Sequence, residues 1–181
     1  VFNATSANGL LYALEQLPVQ SGTRFPMVLD LVTRAVSGPL DIRGDHSDLY
    51  YAIHTGWIVL LARDPQAVYD MNIMAVKIGE HPEIRLPVIV AYDGFFTSHQ
   101  KHNVEYFVDR QVVQDFLGEV PERPTALDPR NPVTIGPYMN DPDQMNNKYQ
   151  LHQAMEAARR IIPEIFAEYA AISGRSYDVL D

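Results

Sequence analysis

Trp57-Ile58-Val59-Leu60-Leu61, followed within three residues by Asp64-Pro65, decides the fold class. Five consecutive apolar residues suit a strand buried on both faces. Asp64 offers a side-chain acceptor to the free amides of a helix start, and Pro65 fits the first helical position, where no N–H is needed. Val68, Met71, Ile73, Met74 and Ile78 then recur at helical spacing. A buried strand that feeds a helix is half of a parallel strand–helix–strand unit.

Further halves lie on both sides. Downstream, Pro87 to Tyr92 is an apolar run ending at Asp93-Gly94. Upstream, Pro26 to Thr33 reads as another buried strand, and Val1 to Ala4 as a short one ending in the polar run Thr5-Ser6-Ala7-Asn8-Gly9. Leu10, Leu11, Leu14 and Leu17 have helical spacing until Pro18, with Gly22 a stop signal. Residues 34–44 hold Gly38, Pro39 and Gly44 and read as a loop. After them Asp45 or Ser47 caps a short helix carrying Leu49, Tyr50 and Ile53. Alternating strands and helices predict an α/β fold with a mostly parallel sheet.

Beyond this, six prolines fall between Glu119 and Pro142, a stretch of 24 residues too broken for regular elements. Leu127, Val133, Ile135, Tyr138 and Met139 are expected to anchor this irregular excursion (119–144) to the surface. From Met145 a long helix is predicted, with Tyr149, His152, Met155, Ile162, Ile165, Tyr169 and Ile172 on one face. Pro163 should kink or divide it and Gly174 should end it. Met71, Met74, Met145 and Met155 read as core or interface filling. Tyr177 to Leu180 looks like the first strand of a following domain, so the expected organisation is a domain over 1–175 and the start of another at 176–181.

Composition narrows the function. Apolar residues are 46% and charged residues 20% of the 181, as in soluble globular domains. Fourteen Lys and Arg against 23 Asp and Glu leave a net charge of −9, which argues against nucleic acid as a partner. No apolar run reaches the ~18 residues of a membrane span. There is no cysteine, so this chain can form no disulfide, thiolate nucleophile or iron–sulfur ligand. Nucleotide-binding glycine motifs and a G-x-S-x-G elbow are also missing. The opening residues lack a signal-peptide pattern and read like the inside of a strand, as though the chain began within a larger unit.

Ligands of open α/β sheets bind at the carboxyl ends of the strands. The residues there are Thr5, Ser6, Asn8 and Gly9 after the first strand, Arg34 after the second, and Asp93-Gly94 after the fourth. Arg34 presents a planar fork suited to a carboxylate or phosphate, unless it pairs with Asp41 or Asp45. Gly44-Asp45-His46-Ser47-Asp48 is either a metal or proton-relay cluster or a loop with a helix cap. His99 and His102 in the turn after Asp93 are read as fixing that turn.

These segments together resemble the 2-oxoacid:ferredoxin oxidoreductases, the family of pyruvate synthase, in the domain that binds the aminopyrimidine of thiamine diphosphate. Phe2 to Leu11 is similar to F-T-A-T-S-S-Q-G-L-L, and Val32-Thr33-Arg34-Ala35 to V-x-x-R-A. Gly44 to Asp48 matches G-D-H-S-D, Thr55-Gly56-Trp57 matches T-G-[WF], and Asp93 to His99 matches D-G-F-x-x-S-H. Leu127-Asp128-Pro129 and Ser173 to Tyr177 also have counterparts. Motifs in this order imply a three-layer thiamine-diphosphate-binding fold whose N-terminal part, with a Y-P-I-T-P segment and the glutamate that activates the aminopyrimidine, lies before Val1.

The implied activity is coenzyme-A-dependent oxidative decarboxylation of a small, pyruvate-like 2-oxoacid, with electrons passed through iron–sulfur clusters to ferredoxin. By motif, Arg34 would hold the substrate carboxylate, while Thr5, Ser6, Asn8 and Gly9 would line the cofactor pocket. Thiamine diphosphate would be shared with a partner domain. Mg²⁺ and the 4Fe-4S clusters would sit on partner domains or subunits, with no metal on this chain. Such a piece is expected to be cytoplasmic and inactive by itself. Asn8 stands where the family has Gln, Ile53-His54 replaces a commonly charged or amide pair, and Arg43 replaces an aromatic, with Asp41 just before it. Arg43 and Asp41 near the substrate loop suggest oxalate as an alternative substrate. A transketolase-like or branched-chain dehydrogenase domain is disfavoured by the G-D-H-S-D and D-G-F-x-x-S-H pair. A non-catalytic subunit-interface module is the remaining alternative.

Overall fold

A computed structural model describes residues 2–119, 128–132 and 138–179. Four strands, β1 (Phe2–Thr5), β2 (Val28–Thr33), β3 (Ile58–Ala62) and β4 (Val88–Asp93), form one sheet in the order β1-β2-β4-β3. Every pairing is parallel, with Phe2 opposite Val28, Val28 opposite Val88, and Ile58 opposite Val88. Between and after them come α1 (Ala7–Ala13), α2 (Gln16–Thr23), α3 (Ser47–Ala52), α4 (Pro65–Glu80), α5 (Arg110–Leu117) and α6 (Asp143–Ser173).

Alternation along the strands splits the core into two layers. Val28, Ile58, Leu60, Val88 and Val90 pack towards α4, α5 and α6. Leu29, Leu31, Ile89 and Ala91 point the other way, into a core with Leu10, Leu17, Leu49, Ala52 and Trp57. The result is the three-layer α/β arrangement anticipated from sequence. Asp64 caps α4 as expected, its carboxylate accepting the Ala67 amide at 2.8 Å.

Layer assignment follows from handedness. The chain steps across the sheet from β1 to β2 and past one place to β3, with α1, α2 and α3 on one face. It then turns back to insert β4, so the right-handed crossover places α4 on the other face. Adjacent β2 and β4 therefore send their chains to opposite faces, which opens a crevice at their carboxyl ends.

Several local expectations change. The predicted Leu10–Leu17 helix is two helices: α1 ends at Ala13, and α2 starts at Gln16. Pro18 thus sits in the first turn of α2, where its missing N–H breaks no helical bond. Gly22 does not stop α2, which runs to Thr23 and ends with Arg24 in the left-handed region at φ 59°. In α3 the cap position falls to His46 rather than Asp45 or Ser47. Its buried residues are Asp48, Leu49 and Ala52, while Tyr50 and Ile53 are exposed, because so short a helix buries one stripe.

Pro163 does not divide α6, which stays one helix; the proline lies on its exposed side, where water can reach the carbonyl it frees. Gly174 ends α6 at φ 71° as expected. The inward stripe is Ala154, Ala158, Ile161, Ile165, Phe166 and Tyr169, whereas Tyr149, His152 and Ile172 are exposed. Met145 is exposed and fills no core. α5 had no sequence expectation; Asp109 caps it by accepting the Gln111 amide at 2.9 Å. Tyr138 and Met139 are exposed and pack into neither core layer among the described residues. Val1, Leu127, Val133, Ile135 and Leu180 lie outside the described residues. Tyr177 and Asp178 form no strand; the Tyr177 ring packs on Phe166, centroids 6.3 Å apart.

Candidate functional site

At the crevice between β2 and β4 lies a cavity of about 330 Å³ lined by Ser6, Val32, Arg34, Ile42, Gly94, Phe95 and His99. It collects the ends of three parallel strands and one residue of the loop between β2 and α3. The volume is at the lower end of small-molecule sites.

The β1 end turns sharply. Ser6 is extended (φ −149°, ψ 157°), and Ala7 next to it has φ 32°, a conformation that disfavours any residue with a Cβ. Gly9 N–H closes the turn on Ser6 O at 2.8 Å. A Cβ at Gly9 would fall 2.3 Å from Thr5 Oγ1, so only glycine lets the Thr5 side chain lie over this turn. The Ser6 side chain makes no cap bond to α1, and its hydroxyl keeps no protein partner among the described residues.

Arg34 follows the last residue of β2. Its guanidinium makes one long bond, Nε to Ala35 O at 3.4 Å, and no ion pair among the described residues. The carboxylates that could have claimed it are used locally: Asp41 accepts the Arg43 amide at 2.9 Å and Asp45 the Ser47 amide at 2.6 Å. A partly buried cation thus lines the cavity with most of its donors free, ready for an anion.

Asp48 lies beneath these two strand ends. Its Oδ2 accepts the amides of Ala7 at 2.8 Å and Arg34 at 3.1 Å, and its Oδ1 that of Leu49 at 2.9 Å. Burial raises the pKa of its carboxyl above the ordinary value, and the three amides only partly oppose that.

The β4 end is shaped by its turn. Asp93 accepts the amides of Phe95, Phe96 and Thr97, and Gly94 N–H bonds Thr33 O at 3.1 Å. A Cβ on Gly94 would come within 2.2 Å of Thr33 O, so glycine lets β4 close against β2 there. Two histidines are held in a single tautomer by the same logic. Thr33 Oγ1 is 3.0 Å from Tyr92 O, which can only accept, and 2.6 Å from His46 Nδ1. The one hydroxyl proton goes to the carbonyl, so His46 Nδ1 donates to the hydroxyl oxygen. Ser98 Oγ repeats this between Gly94 O and His99 Nδ1, both at 2.7 Å. The His99 ring, fixed by this bond, lines the cavity.

Of the residues expected at the site, Ser6 and Arg34 line the cavity. Thr5 and Gly9 pack on each other in the turn beside it. Asn8 is exposed outside the lining. Arg43 and Asp41 are exposed on the loop that sends Ile42 into the cavity, and neither lines it. The sequence reads His99 as fixing its turn and leaves Asp48 within a cluster that is either a metal or proton-relay site or a capped loop, and it singles out none of Ile42, Val32 and Phe95. Their motifs were visible, but nothing local says which side chain turns inward. Among the described residues no group of three or more His, Asp or Glu could hold a metal ion, and no helix is long and apolar enough to cross a membrane.

Residues 1–167 match the model of the family described as pyruvate flavodoxin/ferredoxin oxidoreductase, thiamine diphosphate-binding. The chain is 41% identical over 174 residues to pyruvate synthase subunit PorA of Thermotoga maritima, covering 96% of this chain and 44% of that protein. It is 36% identical over 180 residues to pyruvate synthase subunit PorA of Pyrococcus abyssi (99% and 45%). It is 32% identical over 179 residues to ketoisovalerate oxidoreductase subunit VorA of Pyrococcus horikoshii (98% and 44%). The chain spans less than half of the length of these relatives.

Proposed function

The chain belongs to the thiamine-diphosphate-binding family of the pyruvate flavodoxin/ferredoxin oxidoreductases, and on that premise we propose that it holds the aminopyrimidine side of thiamine diphosphate and the carboxylate of a small 2-oxoacid. The observation that carries this is the Arg34 guanidinium, without an ion pair among the described residues, on a cavity otherwise walled largely by Val32, Ile42 and Phe95. The residues present fit the cofactor: free hydroxyl and imidazole groups beside apolar walls suit a heterocycle bearing a few polar atoms. When bound, thiamine diphosphate would supply the nucleophilic carbon and the electron sink that decarboxylation requires.

This chain's own residues bind and orient. Arg34 grips the substrate carboxylate with its parallel N–H groups and fixes its direction. Val32, Ile42 and Phe95 take up the substituent on the keto carbon and keep water away. Ser6 offers a hydrogen bond to the cofactor from the β1 turn, and the His99 ring faces it from across the cavity. In the overall reaction carbon dioxide leaves, the acyl group goes to coenzyme A, and the electron pair goes to ferredoxin. The electrons need iron–sulfur clusters on partner domains or subunits, because this chain holds no cysteine. The substrate reading favours pyruvate or a branched analogue over oxalate. Oxalate carries a carboxylate at each end and no apolar group, whereas the cavity presents one cation and three apolar walls.

The test is Arg34→Ala in the assembled enzyme. Turnover of the 2-oxoacid should fall about 100-fold, the loss of about 3 kcal/mol expected when a charged hydrogen-bonding partner is removed. Subunit assembly and cofactor content should be unchanged. Retained turnover would leave the interface-module reading instead. Oxidation of oxalate in preference to pyruvate and ketoisovalerate would overturn the substrate assignment. The isolated piece, given thiamine diphosphate and Mg²⁺, should turn over no 2-oxoacid.

A further inference from the structure

One carboxylate oxygen touches both halves of the site. Asp48 sits in the first turn of α3, between the β1 and β2 ends, with its side chain 0% exposed. Its Oδ2 receives the amide of Ala7, the residue after the cavity-lining Ser6, and also the amide of Arg34. These residues follow the ends of neighbouring parallel strands and are 27 positions apart in sequence. Nothing else described bonds the two strand ends to one atom.

We propose that Asp48 is a positioning residue that sets the spacing between the Ser6 turn and Arg34, so that cofactor pocket and substrate cation are held in register by Oδ2. Three features argue for a positioning role beyond simple stabilisation. The two Oδ2 bonds go to backbone amides at the strand ends that flank the site and not to side chains of the core. Ala7 adopts φ 32°, which its own sterics resist, and the bond from its amide to Asp48 holds it there. Arg34 has no other strong bond, so its amide is the described anchor of the guanidinium's base. This inference rests on the proposed role of Arg34 as the carboxylate clamp.

The experiment is Asp48→Asn in the assembled enzyme, with the melting temperature, the thiamine diphosphate half-saturation and the KM for the 2-oxoacid measured together. An amide keeps the size but has one oxygen to serve three donors that occupied two. Half-saturation and KM should each rise about tenfold. Asp48→Asn/Arg34→Ala should have the same KM as Arg34→Ala alone, because both changes act through one side chain. Ala7→Gly added to Asp48→Asn should restore the cofactor half-saturation without restoring KM, since glycine adopts φ 32° unaided. Asp70→Asn, at a buried carboxylate away from the cavity, should change the melting temperature alone.

A lowered melting temperature for Asp48→Asn with unaltered half-saturation and KM would overturn the proposal, as would a multiplicative double variant. Should Asp48→Asn fail to assemble, amide exchange in the wild-type enzyme decides. The amides of Ala7 and Arg34 should be protected and open together, and independent opening would sink the idea. If Arg34→Ala alone leaves turnover intact, the substrate assignment fails. The clamp is then still judged by cofactor half-saturation and by exchange.

Discussion

Asp48 and Asp70 are both 0% exposed carboxylates, yet they serve opposite halves of the molecule. Asp70, on α4, accepts Arg175 Nε at 2.6 Å and Nη2 at 2.9 Å, Tyr169 Oη–H at 2.7 Å, Tyr177 Oη–H at 2.5 Å and Gln66 Nε2–H at 3.1 Å. Its partners are side chains from α4, α6 and the segment after α6. Among the described residues Asp48 has no cation, only backbone amides, two at the strand ends and that of Leu49 within α3. Burial pushes both carboxyls up. At Asp70 the bonds from Arg175, Tyr177, Tyr169 and Gln66 outweigh burial and hold the group below the usual range. At Asp48 burial wins. A buried carboxylate matched by a guanidinium and two phenols ties helices together; one matched only by amides fixes where two turns lie.

The largest expected effect is at Asp70. Asp70→Ala strands the Arg175 charge and two phenolic hydroxyls, and should cost about 3–5 kcal/mol, read from denaturant unfolding of the protein. A loss below about 1 kcal/mol would break the contrast, since Asp70 would then be no more than a surface partner. Gly94→Ala comes next. Its Cβ meets Thr33 O, so β4 must shift against β2, at about 2–3 kcal/mol. Unlike Asp70→Ala, it should also weaken 2-oxoacid binding, because the shift reaches the cavity mouth.

Acid titration separates the two carboxylates by sign. Asp70 is depressed in the folded state, so its stabilisation is full above the unfolded pKa and is lost as pH falls through the folded value. The penalty of Asp70→Asn should therefore shrink on acidification below about pH 4. Asp48 is raised in the folded state, so protonation favours folding, and its contribution declines as pH rises towards the folded value. The penalty of Asp48→Asn should grow as pH falls through the raised folded value, above about pH 4, and level off below the unfolded value. Melting curves at several pH values would show diverging trends; parallel ones would erase the distinction. The smallest effect is expected for Thr33→Val, which removes the hydroxyl between His46 and Tyr92 O. It should cost about 1 kcal/mol and leave the melting trend with pH almost unchanged.

Legibility from sequence followed the range of the interactions. The Asp64-Pro65 start of α4 and the Gly174 end of α6 were readable because each is made by adjacent residues. On α6, Met155, Ile162, Ile165 and Tyr169 reach the core as expected, but Ala154 and Ala158, too small to stand out in the sequence, carry the rest of the inward stripe in place of Tyr149, His152 and Ile172. Ser6 and Arg34 were readable as site residues because strand-end position in a parallel sheet is a local property. Arg43 is equally suggestive in sequence, yet Ile42, itself about half exposed, is the residue of that loop that lines the cavity. His99 and Asp48 were visible inside motifs without a direction.

Sequence alone thus determined the α/β class, the parallel order of strand and helix, and the residues standing at strand ends. These depend on periodicity, capping and backbone chemistry within a few positions. Tertiary structure alone decided that β4 lies between β2 and β3, which opens the crevice beside Arg34. It also decided that one Asp48 oxygen reaches both Ala7 and Arg34. Both depend on crossover handedness and on contacts between residues far apart in the chain, for which no short stretch of sequence carries a signal.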